Sequence, residues 1–118
     1  MKRQFNEFLD DIIIEIDFIK KTTKDLDFED FKNDEIKVRA ITRSFEIIGE
    51  ASSYLPKKIK DKYKEVPWIL MKNLRNILIH QYWGVDIEIE WNLIKDELKN
   101  LEKQIKEIIE KEKSQEQI

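Results

Sequence analysis

Apolar residues recur at steps of three and four through most of the chain, the period of a helix that lays one face on a core. Over residues 3–24 the stripe is Phe5, Phe8/Leu9, Ile12/Ile13, Ile16 and Ile19, with Asp10, Glu15, Asp17 and Lys20 pointing mainly outward. Ile14 and Phe18 widen the apolar surface, which predicts that this helix buries more than one face. Asp27-Phe28-Glu29-Asp30-Phe31 reads as an N-cap and one short turn whose aromatics dock on the core. Asn33 or Asp34 caps a helix over 35–55, with Ile36, Ala40, Ile41, Phe45, Ile48, Ala51 and Leu55 as its buried stripe. Gly49, Ala51, Ser52 and Ser53 form a small-residue patch that lets a neighbouring helix approach closely. Arg39, Arg43, Glu46 and Glu50 fall at i, i+4 and i, i+3 spacings, mix opposite signs and predict a surface ion-pair ladder.

Pro56 ends that helix, and Lys57–Lys64 reads as one or two basic turns. Pro67 suits the first position of the next helix, because its missing N–H would be unpaired there anyway. That helix is predicted over Trp68–Gln81, with Leu70, Leu74, Ile77 and Leu78 buried and Gly84 as the stop. Asp86 caps a last helix over 87–112, with Glu88 and Glu90 in its acidic first turn. Its seam of Ile87, Trp91, Ile94, Leu98, Leu101, Ile105 and Ile108 suits either a bundle core or half of a dimer contact. Residues 113–118 are expected to fray. The expected architecture is one all-α domain over 1–112, an antiparallel bundle of four main helices plus short helical turns.

Composition supports this reading. The chain has 118 residues, 40% of them charged, with two Gly, two Pro and no Cys. The absence of Cys excludes disulfides and thiolate metal sites. No apolar run reaches the ~18 residues of a membrane span, and the N-terminus lacks a signal peptide's apolar core, so a cytoplasmic protein is expected. The net charge is −3, unevenly spread. Residues 1–35 carry six cations against eleven carboxylates, whereas residues 56–75 carry seven (Lys57, Lys58, Lys60, Lys62, Lys64, Lys72, Arg75) against two. Such a basic block either draws an anionic ligand or is simply a solvated lysine-rich face.

The block runs into Leu74-Arg75-Asn76-Ile77-Leu78-Ile79-His80-Gln81-Tyr82-Trp83-Gly84, which holds the single histidine of the chain. An unperturbed His is the side chain best suited to exchange protons near neutral pH. Arg offers a fixed fork matched to phosphate oxygens, Asn can orient an imidazole, and a Tyr hydroxyl can bond a phosphate. At 100° per residue Arg75 and His80 stand ~140° apart on an ideal helix. Either the helix ends or distorts near His80, or Arg and His meet across two copies of the chain. Two histidines from a symmetric dimer would supply a base and an acid for cleaving RNA through its own 2′-hydroxyl. The plainer readings are a helix-terminal His, a solvated Arg, a locally bonded Asn76 and a core Tyr82-Trp83 pair.

At these residues the chain resembles the HepT-like toxins of the HEPN superfamily, whose signature is Arg, a polar residue, three residues, His, one residue and Tyr. Arg75-Asn76-Ile77-Leu78-Ile79-His80-Gln81-Tyr82 matches every defining position. Arg43–Ala51 is similar to the family's second-helix segment, Val66-Pro67-Trp68 to the approach to the motif helix, and Tyr82–Asp86 through Trp91 to the exit. The resemblance spans most of residues 5–110. It departs where relatives often have Gly-Met before Arg-Asn and Gly between His and Tyr; here stand Asn73-Leu74 and Gln81. Gln81 could narrow the cleft.

The resemblance implies a helical-bundle homodimer with paired motifs in an interfacial cleft, acting as a metal-independent ribonuclease without a cofactor. It implies the toxin half of a type VII-like toxin–antitoxin pair. The partner would be an MNT-type nucleotidyltransferase antitoxin that transfers AMP to the motif tyrosine. Carried over, Arg75 and His80 are catalytic, Asn76 supports the active site and Tyr82 accepts AMP. Lys72 and Lys64 are candidate RNA contacts. The rival reading is a non-catalytic nucleotide-binding or regulatory subunit of a minimal nucleotidyltransferase.

Overall fold

The computed structural model describes residues 4–80 and 84–116, with the side chains of His80 and Glu116 outside the description. The fold is all-α, in a body of 50 × 30 × 28 Å. Helix α1 (Phe5–Thr23) buries Leu9, Ile12, Ile16 and Ile19 completely. Gln4 and Glu7 close its start as a reciprocal capping box. Helix α2 (Phe28–Lys32) is a single turn, capped by Asp27 accepting from the Asp30 N–H at 2.8 Å. Helix α3 (Glu35–Ser53) is capped by Asp34, which accepts from the Lys37 N–H. Phe8 near the start of α1 stacks on Tyr54 just past the end of α3, at 5.2 Å between ring centres, so these two helices run antiparallel.

Helix α4 (Lys57–Lys62) is short, as expected. The helix expected over Trp68–Gln81 is instead two five-residue helices, α5 (Trp68–Lys72) and α6 (Leu74–Leu78), jointed at Asn73. The chain turns extended at Ile79 and forms a two-residue ladder, β1 (Ile79–His80) with β2 (Gly84–Val85), antiparallel. The early end has its cause eight residues further along the chain. In a continued helix the Leu78 carbonyl would accept from residue 82; here it accepts from the Asp86 N–H at 2.7 Å. Gly84 is therefore no helix stop. It pairs with His80 in the ladder, and no glycine among the described residues takes a positive φ.

Helix α7 (Ile87–Asn92) passes through a π-helical turn (Leu93–Glu97) into α8 (Leu98–Glu116), which runs past the end expected at 112. The Leu98 N–H reaches back five residues to the Leu93 carbonyl. The widened turn lets Leu93, Ile94 and Leu98 all face the core, so the seam is kept across the irregularity. Lys20 late in α1 pairs with Glu102 early in α8, and Lys62 of α4 with Glu112 near its other end. Phe31 and Phe28 meet the Trp91 ring at 5.2 and 6.2 Å, so the α2 aromatics dock as expected.

Two apolar expectations fail. Ile36 is 82% exposed, because Val38, Ile41, Phe45 and Ile48 set the buried stripe of α3 and Ile36 lies far round the helix from it. Ile14 and Phe18 are also exposed, so α1 buries one face within the chain. Glu90 lies in the first turn of the helix after Asp86, as expected, and is fully buried there. Among the described residues no helix is long and apolar enough to cross a membrane.

Candidate active site

The joint at Asn73 rests on α3. A Cβ built on Gly49 would stand 2.6 Å from the Met71 carbonyl oxygen, so only glycine admits α5 this close. The small-residue patch thus has the use expected of it. With that contact made, α3 and the α5–α6 pair form the two walls of an open groove of ≈ 340 Å³. Arg43, Glu46, Gly49, Glu50 and Ser53 line it from one side, and Lys72 and Arg75 from the other.

Arg75 sits on α6 with its side chain 74% exposed, and Asn76 beside it is exposed as well. Glu46 Oε2 stands 3.7 Å from Arg75 Nε and 3.9 Å from Arg43 Nη1. Arg43 and Glu46 do make the expected pair within α3, while Arg39 pairs with Glu35 at 2.7 Å. The tie from Glu46 across to Arg75 was not visible in the sequence, since it joins residues on different helices. The one available signal was Gly49, which marks where a second helix comes close.

His80 falls in β1, two residues beyond the end of α6, and its side chain lies outside the described residues, as does Tyr82 with the whole of 81–83. The ladder of Ile79 with Val85 and His80 with Gly84 brackets residues 81–83. Because the helix stops at Leu78, the angular separation of Arg75 and His80 on an ideal helix does not apply. Of the two alternatives that separation left open, the first is met. The expectation of a dimer therefore rests on the family resemblance and no longer on helix geometry.

The structure divides the basic block. Lys57 pairs with Asp61 at 2.8 Å and Lys62 with Glu112 at 2.9 Å. The hydrogen bond from Lys57, then the charges of Lys57 and Lys64, hold the Asp61 carboxyl below its ordinary range. Lys64 does not line the groove. Lys60, in contrast, faces another cation: burial first, and the charge of Lys72 second, lower the pKa of its ammonium. Lys72, whose charge acts on Lys60, lines the groove, whereas Lys60 does not. Lys72 and Arg75 are brought together as candidate anion contacts, and Lys64 is not.

The all-α fold agrees with the class of HEPN-like helical bundles that the sequence resembles. Residues 12–108 match the model of the family described as "HepT-like: Ribonuclease HepT-like". The chain belongs to that family. It is 45% identical to "Putative RNase TTE0752" of Caldanaerobacter subterraneus subsp. tengcongensis, over 90% of this chain and 95% of that one. It is 40% identical to "Probable ribonuclease HepT" of Thermococcus cleftensis, over 86% and 92%. "Putative RNase MJ1380" of Methanocaldococcus jannaschii is 38% identical, over 88% and 95%. No solved structure gives a significant match.

Proposed function

We propose that this chain is the toxin of a type VII-like toxin–antitoxin pair, a cytoplasmic endoribonuclease that works as a homodimer without a metal ion. The observation that supports it most directly is Arg75 held open on a groove that also carries Arg43 and Lys72, in a chain of a ribonuclease family. The guanidinium fork matches two phosphate oxygens and stabilises the extra negative charge of a five-coordinate phosphorus. The 2′-hydroxyl of RNA is the nucleophile, which is why RNA and not DNA is the substrate.

His80 of one protomer takes the 2′-hydroxyl proton as the oxygen attacks the adjacent phosphorus. His80 of the second protomer gives a proton to the departing 5′-oxygen. The products are a 2′,3′-cyclic phosphate and a 5′-hydroxyl, with proton and charge balanced and no metal required. Asn76 supports the site, and Lys72 holds a flanking phosphate. Tyr82 is the acceptor to which an MNT-type nucleotidyltransferase antitoxin transfers AMP. That adds a charged, bulky group two residues along the chain from the histidine and silences the nuclease.

The test is RNA cleavage by purified protein in EDTA. His80→Ala is expected to abolish cleavage, and growth arrest in cells, while the protein keeps its helical spectrum and its dimeric sedimentation. Undiminished cleavage by that variant removes the catalytic assignment. RNA binding without turnover by the unmodified protein favours the regulatory-subunit reading.

A further inference from the structure

An acidic side chain in an RNA-binding groove needs a reason, because it repels the phosphates the groove is meant to hold. Glu46 is only a quarter exposed, whereas the Arg43 and Arg75 side chains it serves are 63% and 74% exposed. One oxygen of its carboxylate lies between both guanidinium groups, 3.9 Å from Arg43 and 3.7 Å from Arg75. On Arg75 the contact is to Nε, the inner edge of the guanidinium. Among the described residues neither Nη group makes a hydrogen bond, which leaves both open to a ligand. At 3.7 Å the contact is an ion pair and longer than a hydrogen bond, so it restrains direction without locking the side chain.

We infer that Glu46 is a positioning residue for Arg75: it holds the Nε edge from α3 so that the two Nη groups face the groove where the scissile phosphate would lie. A free arginine samples many rotamers, and each phosphate contact must overcome that freedom. Anchoring one edge from a second helix removes part of the loss in advance, which is the usual benefit of preorganisation. Arg43 offsets the carboxylate's charge. The groove lining then keeps an excess of cations, three against Glu46 and Glu50. The inference rests on the role given to Arg75 above, and its test separates the two.

The first measurement needs no substrate. In the full-length protein the Arg75 Nε–H resonance, assigned by its loss in Arg75→Lys, is expected to exchange with water several-fold faster in Glu46→Gln than in wild type. Equal exchange in the two proteins overturns the positioning role whether or not the protein cleaves RNA. The second uses a fluorescent single-stranded RNA oligonucleotide. Glu46→Gln is expected to lower kcat about tenfold with KM little changed and melting temperature unmoved, while Glu46→Asp, which keeps the charge, recovers part of the rate. A Glu46→Gln protein that cleaves as wild type, or faster, overturns the inference; the faster one would show Glu46 to be a competitor of phosphate. Cleavage undiminished in Arg75→Ala overturns the role of Arg75 in the reaction, while the exchange measurement still decides the contact.

Discussion

At the residue scale the least ordinary group is Glu90, a carboxylic acid fully buried between α7 and α3. Burial pushes its pKa up to about 7, against the opposing effect of the hydrogen bond with Thr42. The geometry around Thr42 agrees with a neutral acid. Thr42 Oγ1 stands 2.8 Å from the Val38 carbonyl oxygen and 2.7 Å from Glu90 Oε2, and the hydroxyl has one proton to give. If that proton goes to the carbonyl, which can only accept, the second contact is made by a proton from Glu90. The other carboxyl oxygen, Oε1, has no hydrogen-bond partner among the described residues, a cost that a neutral acid bears more easily than an anion. The folded state thus keeps a proton up to about pH 7 that the unfolded chain releases near 4.5. The folded protein binds more protons at Glu90 across this window, so the contribution of Glu90 to stability is full below pH 4.5 and falls as pH rises toward 7, then levels off. The loss is about 3 kcal/mol at most. Urea denaturation as a function of pH should show this fall in wild type. In Glu90→Gln, which keeps the shape and cannot ionise, the profile should be flatter and the protein more stable at pH 8. A wild-type profile flat from pH 4.5 to 8 would mean that Glu90 is not held neutral.

At the element scale the site depends on how closely α3 admits the α5–α6 joint. Gly49→Ala would gain about 1 kcal/mol of helix propensity. Against that, the new Cβ would meet the Met71 carbonyl at 2.6 Å, a backbone atom that cannot swing aside. Overpacking of this kind costs ~1–3 kcal/mol, so a net loss of up to about 2 kcal/mol is expected by urea denaturation. Activity should fall further than stability, since the displaced segment carries Lys72 and Arg75 to the groove. Equal stability and equal activity in Gly49→Ala would show the joint to be free to move. The same contact explains which elements could be read from sequence. Helices α1, α3 and α8 were legible because each carries its own periodic stripe and, in α3, its own cap. The joint at Asn73 and the end at Leu78 were not, because their causes are distant: Gly49 against Met71, and the Asp86 N–H on the Leu78 carbonyl. Arg75, Asn76 and His80 could be singled out by residue type and spacing alone. Arg43 and Glu46 looked like ordinary helix-surface ions, since their relation to Arg75 exists only once two helices meet.

At the scale of the whole molecule the question is how a chain of net charge −3 would bind a polyanion. The charge is sorted, and only part of the basic block remains available. Lys57 and Lys62 are matched to carboxylates, and Lys64 acts on Asp61 away from the groove. Lys72 stands in the groove and close enough to Lys60 to disfavour that neighbour's charge, a repulsion that a bound phosphate would relieve. These positions predict different salt responses. For single-stranded RNA each neutralised phosphate adds about 0.7 to the slope of log affinity against log salt. Lys72→Ala is therefore expected to weaken RNA binding several-fold at low salt and to reduce the slope by about 0.7. Lys64→Ala should leave the slope where it was, although the two lysines belong to the same basic stretch of sequence. Fluorescence anisotropy in the His80→Ala background, across a salt series, checks both without cleavage confusing the signal. If the two substitutions lowered the slope equally, the RNA path would extend over α4 and the groove between α3 and α6 would be only part of it. A slope unchanged by Lys72→Ala would remove that lysine from the RNA path and leave anion binding to the two arginines that share Glu46.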